Sequence, residues 1–154
     1  MSTEVDQTNA SFIRKIFPIT VDYTLTPEQM LEAVAFDHFS PLITKDRLGR
    51  FSIVGSGTIK EDLFIVQFYR AIRSNEVIVE LAKMNLEPAR IEHALAFART
   101  YRNLPGVYSI VFLGSQACGF VTGIYQTPQR QDFLLSFCDR EWYDYYKFAA
   151  VRKR

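Results

Sequence analysis

The chain has 154 residues, 48% of them hydrophobic and 14% aromatic, and 18 basic against 17 acidic side chains leave a formal net charge of +1. A chain of that length buries roughly 70% of its unfolded surface, so one self-supporting core needs neither metal nor disulfide. Balanced, interspersed charge excludes a whole-molecule field that would pull the protein onto nucleic acid or an anionic membrane.

No apolar run nears the roughly 20 residues that span a bilayer. Met1 to Ala10 is polar and acidic where a signal peptide is basic and then apolar. The expectation is a cytoplasmic protein without a membrane partner, with a flexible tail over 1–10 and one globular domain over 11–154. No repeat, low-complexity tract or linker divides it.

From Phe17 to Tyr23, Ile19, Val21 and Tyr23 alternate with Pro18, Thr20 and Asp22, the period of a strand with one wet face. Pro18 suits an edge, since it cannot donate to a ladder. Thr26-Pro27-Glu28-Gln29 predicts a helix with a capping box, running to about Phe36 and ended by Asp37-His38-Phe39-Ser40-Pro41. Phe51 to Val54 and Leu63 to Tyr69 are β-rich and predict a hairpin around Gly55-Ser56-Gly57. In Leu63-Phe64-Ile65-Val66 both parities are apolar, which marks a central strand covered on both faces.

Ser74 is expected to cap a second helix built on Val77, Ile78, Leu81 and Met84, and a third begins at Pro88, with Leu86 and Ile91 spaced for a hydrophobic staple. Asn85 to Glu87 is a short link, so these two helices are expected to form a hairpin. The remainder reads as four strands, Val107 to Gly114, Phe120 to Gln126, Phe133 to Cys138, and Trp142 to about Val151. The predicted class is α+β, a mostly antiparallel sheet with about three helices packed on it.

Residues capable of chemistry are few. Cys118 and Cys138 each fall in a segment that reads as a strand, and two cysteines form neither a disulfide framework nor a thiolate metal site. Ser115 follows Gly114 without the flanks of a nucleophile elbow. His93 sits at the border of an apolar helical stripe, and His38 near a helix end, where its plain role is capping. Asp37 and His38 are too few for a metal. Gly55-Ser56-Gly57 runs into Thr58 and Ile59, where a phosphate-cradling loop needs further glycine or a Lys-Ser/Thr pair leading into a helix, and Glu61-Asp62 reads as a solvated hairpin tip. No metal or cofactor is expected.

One segment stands out. Seven of the 22 aromatic residues lie between Phe133 and Arg154. If Trp142 onward is a single strand, Trp142, Tyr146 and Phe148 share one face and serve the core, while Tyr143, Tyr145 and Lys147 share the other. That second row ends beside Arg152, Lys153 and Arg154, a combination that stacks bases and neutralises phosphates in single-strand binders, or that meets another protein.

The order Val21-Asp22-Tyr23, Glu87-Pro88-Ala89-Arg90-Ile91-Glu92, Leu113-Gly114-Ser115, Trp142-Tyr143 and Phe148-Ala149-Ala150-Val151-Arg152 resembles a group of small bacterial proteins of unknown function. The resemblance implies a free-standing small protein and supplies no activity, cofactor or catalytic residue.

The functional expectation is a non-catalytic interaction or regulatory module that binds another protein or its own copy, as a homo-oligomer, through Tyr143, Tyr145, Lys147, Arg152 and Lys153. Single-stranded RNA or DNA binding by the same row is the first alternative. A small hydrolase or transferase using His93 is the second.

Overall fold

Residues 12–153 are described by the computed structural model; the expected tail over 1–10 lies outside them, as does Arg154. Strand β1 (Ile13–Asp22) leads to α1 (Pro27–Glu32), β2 (His38–Phe39), α2 (Lys45–Gly49) and β3 (Thr58–Val66). Then come β4 (Ile72–Arg73), α3 (Ser74–Lys83), β5 (Leu86–Pro88) and α4 (Ile91–Thr100). The chain closes with β6 (Tyr108–Ala117), β7 (Phe120–Thr127), β8 (Arg130–Phe137), β9 (Glu141–Trp142) and β10 (Lys147–Arg152).

Eight strands form one sheet in the order β1-β3-β10-β6-β7-β8-β2, with β5 also on β10, while β4 and β9 form a separate ribbon. All pairings are antiparallel except β10 with β6 and β8 with β2. This is the mainly antiparallel α+β arrangement that the sequence predicts, with four helices instead of three among the described residues. None of them is long and apolar enough to cross a membrane.

Strand parity builds two cores, one on each side of the sheet. Phe17, Ile19, Leu63, Ile65, Ile110 and Phe133 face α4 and the α1–α2 segment. Phe64, Val66, Val111, Val121 and Phe148 face α3 and Trp142. Leu63 to Val66 is buried on both faces between β1 and β10, as its unbroken apolar run predicts. Among the described residues β1 pairs only with β3, which accommodates Pro18 at an edge. At α1 the capping box forms in full: Gln29 N donates to Thr26 Oγ1 at 3.2 Å and Thr26 N to Gln29 Oε1 at 2.9 Å.

Five expectations are overturned, all by partners distant in sequence. The segment 51–54 is not a strand; β3 takes β1 as its partner instead, with Phe17 opposite Leu63 and Ile19 opposite Glu61. The helical hairpin does not form, because Leu86–Pro88 pairs with β10 and carries the chain from one face of the sheet to the other. Leu86 and Ile91 consequently lie in different cores and make no staple. Ser74 is the first residue of α3 and not its cap: its hydroxyl donates to Cys138 O at 2.6 Å and accepts from Trp142 Nε1 at 2.8 Å. Finally, the closing strand is broken at 143–146, since Trp142 is held in the β4–β9 ribbon opposite Ile72 while β10 inserts between β3 and β6.

Candidate functional site

Chemistry-bearing residues converge at the N-terminus of α4. Gly114 of β6 permits this approach: its N–H donates to Ala89 O at 2.8 Å, and any Cβ there would collide with Pro88 O and Ala89 O. The next residue, Ser115, accepts from Ile91 N at 3.0 Å. His93, at the third helical position, accepts from Arg90 N through Nδ1 at 2.9 Å, and its Nε2 lies 3.3 Å from Glu61 Oε2 of β3.

Serine, histidine and carboxylate thus assemble, but in the orientation of a helix cap. Because Nδ1 accepts a backbone N–H, the proton of the neutral ring resides on Nε2 and faces Glu61. No ring nitrogen is turned to Ser115, whose oxygen is occupied by the helix. His93 is 0% exposed, so no substrate reaches it. The geometry therefore withdraws support from a hydrolase or transferase built on His93.

Glu61 corrects another expectation. It lies within β3 opposite Ile19, largely buried against α4, not at a solvated tip. Its parity with Leu63 and Ile65 was the available signal, hidden by starting the strand too late.

Beside this pair, Glu92 is also 0% exposed, and its Oε2 accepts from Tyr23 Oη and Arg90 Nε, both at 3.1 Å. Burial, then Glu92, pushes the Tyr23 phenol upward. Burial opposes the charge of Arg90, but Tyr23 and Glu92 outweigh it and hold that guanidinium up.

The remaining candidates are spent locally. His38 is exposed in β2, well past the end of α1, so it caps nothing there. Asp37 Oδ2 accepts from Gln131 N at 2.8 Å and Arg102 NH2 at 3.2 Å. Among the described residues no group of three or more His, Cys, Asp and Glu is arranged to hold a metal. Neither cysteine lies within a strand: Cys118 occupies the β6–β7 turn at φ 54°, next to Arg50, and Cys138 follows β8 and packs on the α3 side.

A different arrangement occupies the opposite face of the sheet. The turn between β9 and β10 stacks Tyr145 on Tyr146 with ring centroids 4.6 Å apart, and Tyr143 beside Tyr145 at 5.9 Å. Trp142 meets Tyr146 edge-on at 5.1 Å, and the Arg140 guanidinium lies 4.3 Å from the Trp142 ring centroid. The indole is sealed and hydrogen-bonded to Ser74, which anchors the exposed rings above it. The hydrogen bond between the Tyr145 and Tyr146 hydroxyls, then burial, raises the Tyr145 phenol.

Between this turn and β6–β8 runs a groove of about 280 Å³, with Ser109, Gly123, Tyr125, Leu134 and Ser136 along the sheet and Trp142, Tyr145 and Tyr146 as its wall. A Cβ on Gly123 would press on Ile110 O at 3.2 Å, so the floor is bare there. Tyr143 and Tyr145 remain 61% and 52% exposed. Sequence reading missed Gly123, Tyr125, Leu134, Ser136 and Arg140. The odd–even alternation of β8, with Phe133 and Leu135 inward, pointed to Leu134 and Ser136 on this face.

The expected row is not continuous. Tyr143 and Tyr145 meet at the turn; Lys147 begins β10, half-buried, with its ammonium 5.5 Å from the Tyr108 ring centroid and its pKa lowered by burial and then by Arg14. Arg152 and Lys153 lie at the far end of β10, about 16 Å along the strand. There they border a separate hollow with Lys60, Glu61 and Asp62, and Arg152 covers the Phe64 ring at 5.0 Å. Arg152 and Lys153 are thereby separated from the stacked tyrosines, where Arg140 supplies the basic group over the Trp142 and Tyr146 rings. Comparison with protein-family models, with curated proteins and with solved structures finds no match to this chain, so its own residues carry the functional argument.

Proposed function

We propose that the protein is a non-catalytic interaction module that takes an extended segment of another protein into the groove between the Trp142–Tyr146 turn and β6–β8. The observation that carries this reading is the wall of stacked tyrosines standing open over a bare sheet floor. At about 280 Å³ the groove is smaller than the roughly 300–1,000 Å³ typical of small-molecule sites. It suits one large apolar or aromatic side chain, with Ser109 and Ser136 to hydrogen-bond the partner's polar atoms.

A titration of the isotope-labelled chain with short peptides, each presenting one Phe, Tyr, Trp or Leu among polar residues, tests the reading. Amide shifts should concentrate at Ser109, Gly123, Ser136 and Tyr145 and disappear in Tyr145→Ala. Shifts dispersed elsewhere, or none, would overturn it. A mixed RNA oligomer at two salt concentrations is the second arm: salt-sensitive binding lost in Tyr145→Ala would favour the nucleic-acid alternative, in which Tyr143 and Tyr145 stack bases and Lys147, Arg152 and Lys153 meet phosphates.

A further inference from the structure

At the Trp142–Tyr146 wall the groove meets a second hollow. It measures about 420 Å³, lies against the first turn of α3, and is bordered by Arg73, Asn75, Gln116, Cys138, Asp139 and Arg140. Arg140 joins the two spaces: it lines the hollow, while its guanidinium lies 4.3 Å from the Trp142 ring centroid and 5.5 Å from that of Tyr146, both rings of the groove's wall. Ser74 joins them again, since it borders the hollow and holds the Trp142 indole.

Charge is unbalanced in this hollow. Arg73 pairs with Asp139 at 3.3 Å, and Arg70 with Glu76 at 3.6 Å beside it. Glu141, opposite Arg73 in the β4–β9 ribbon, is exposed and does not line the hollow. Among the described residues no carboxylate pairs with Arg140, which the two rings hold half-buried. Contact with a ring face leaves a guanidinium its N–H donors, so Arg140 is a positioned cation with hydrogen bonds to give. One uncompensated cation matches the single charge of a carboxylate better than the near-dianion of a phosphoryl group.

We propose that the segment taken by the groove carries an acidic residue, and that its carboxylate docks on Arg140 in the hollow. The inference rests on the groove reading and adds the partner's charge to it. Leu134 and Ser136 border the groove and Cys138 the hollow. Cys138 N donates to Gly119 O at 2.8 Å, which carries the ladder that far. The two spaces therefore lie roughly 7–13 Å apart along the strand direction, the reach of two to four extended residues. β7 is paired on both sides, so the floor offers the segment no ladder and side chains do the recognising, an apolar anchor at one end and an ion pair at the other.

Fluorescence anisotropy of the full chain with labelled peptides of neutral polar sequence tests the proposal. One peptide holds only a Phe anchor; others add a Glu or a Lys three residues before or after it. A Glu peptide should bind about five- to tenfold more tightly than the anchor alone at low salt, and the gain should shrink as salt is raised. Arg140→Met keeps an apolar stem over the rings and should bind the Glu, Lys and anchor peptides alike. Asp139→Asn, at a side chain 99% exposed, should enlarge the gain by releasing Arg73, and it decides if Arg140→Met does not fold. Anchor binding without preference for Glu over Lys, a preference that persists in Arg140→Met, or, should that variant not fold, one unchanged in Asp139→Asn overturns this inference and leaves the groove reading standing. No peptide binding, or binding indifferent to Tyr145→Ala, overturns both.

Discussion

The α4 cap and the tyrosine groove lie on opposite faces of one sheet and invert the usual reading of their residues. The cap holds serine, two glutamates, histidine and arginine, the vocabulary of catalysis, yet Ser115, His93 and Glu92 Oε2 are turned to backbone or to another side chain in a buried interior. The groove is built from tyrosine, leucine, glycine and serine, with no acid or base aimed into it, and it is the open one. Residue type therefore misleads where burial and orientation are unknown; accessible polarity, not polarity, distinguishes a site from a scaffold.

The contrast breaks most visibly in stability. Trp142→Ala removes the sealed anchor beneath the groove and is expected to cost about 3–5 kcal/mol in urea unfolding. His93→Ala leaves Arg90 N and the carboxylate of Glu61 without their present partner, at about 3 kcal/mol. His93→Asn, whose Oδ1 can still accept from Arg90 N, should recover part of that loss; a catalytic histidine would give no such pattern in a melt.

Ser115→Ala removes one long-range helix cap and should cost about 1 kcal/mol. Tyr143→Ala and Tyr145→Ala, on the exposed side, should stay within about 0.5 kcal/mol of the parent, while Tyr145→Ala, which removes part of the wall, abolishes peptide shifts in the groove. A loss of several kcal/mol in these two variants would mean that the open rings are scaffold after all.

The smallest effects separate the regions by sign in alkaline solution. The folded pKa of Lys147 is lowered from 10.5, so between that lowered value and 10.5 the unfolded chain holds the extra proton and stability rises with pH. Tyr23 is raised from 10.0, so its contribution is present below 10.0 and is lost as pH climbs through the folded value. Unfolding midpoints followed above about pH 9 should lose the rising component in Lys147→Met and the falling one in Tyr23→Phe.

Local chemistry was legible wherever a few neighbouring residues decide the outcome. Thr26 and Gln29 close a box three residues apart, alternation marks β1, and the unbroken run Leu63 to Val66 announces burial on both faces. The aromatic concentration after Phe133 also located the groove's wall, and the core set Trp142, Tyr146 and Phe148 does come together. The arrangement of the contact row was not legible, because the parity argument assumed one strand where the chain turns between β9 and β10.

Periodicity, caps and apolar runs are properties of adjacent residues, and they sufficed for the α+β class and most strands. Pairing partners were beyond them. Whether Leu86–Pro88 joins a helical hairpin or adds to β10, whether Ser74 caps a helix or holds an indole, and whether Glu61 meets solvent or His93 are all settled by groups dozens of residues away. Those choices depend on which surfaces the closing sheet brings together, and burying them dictates which polar atoms must find partners.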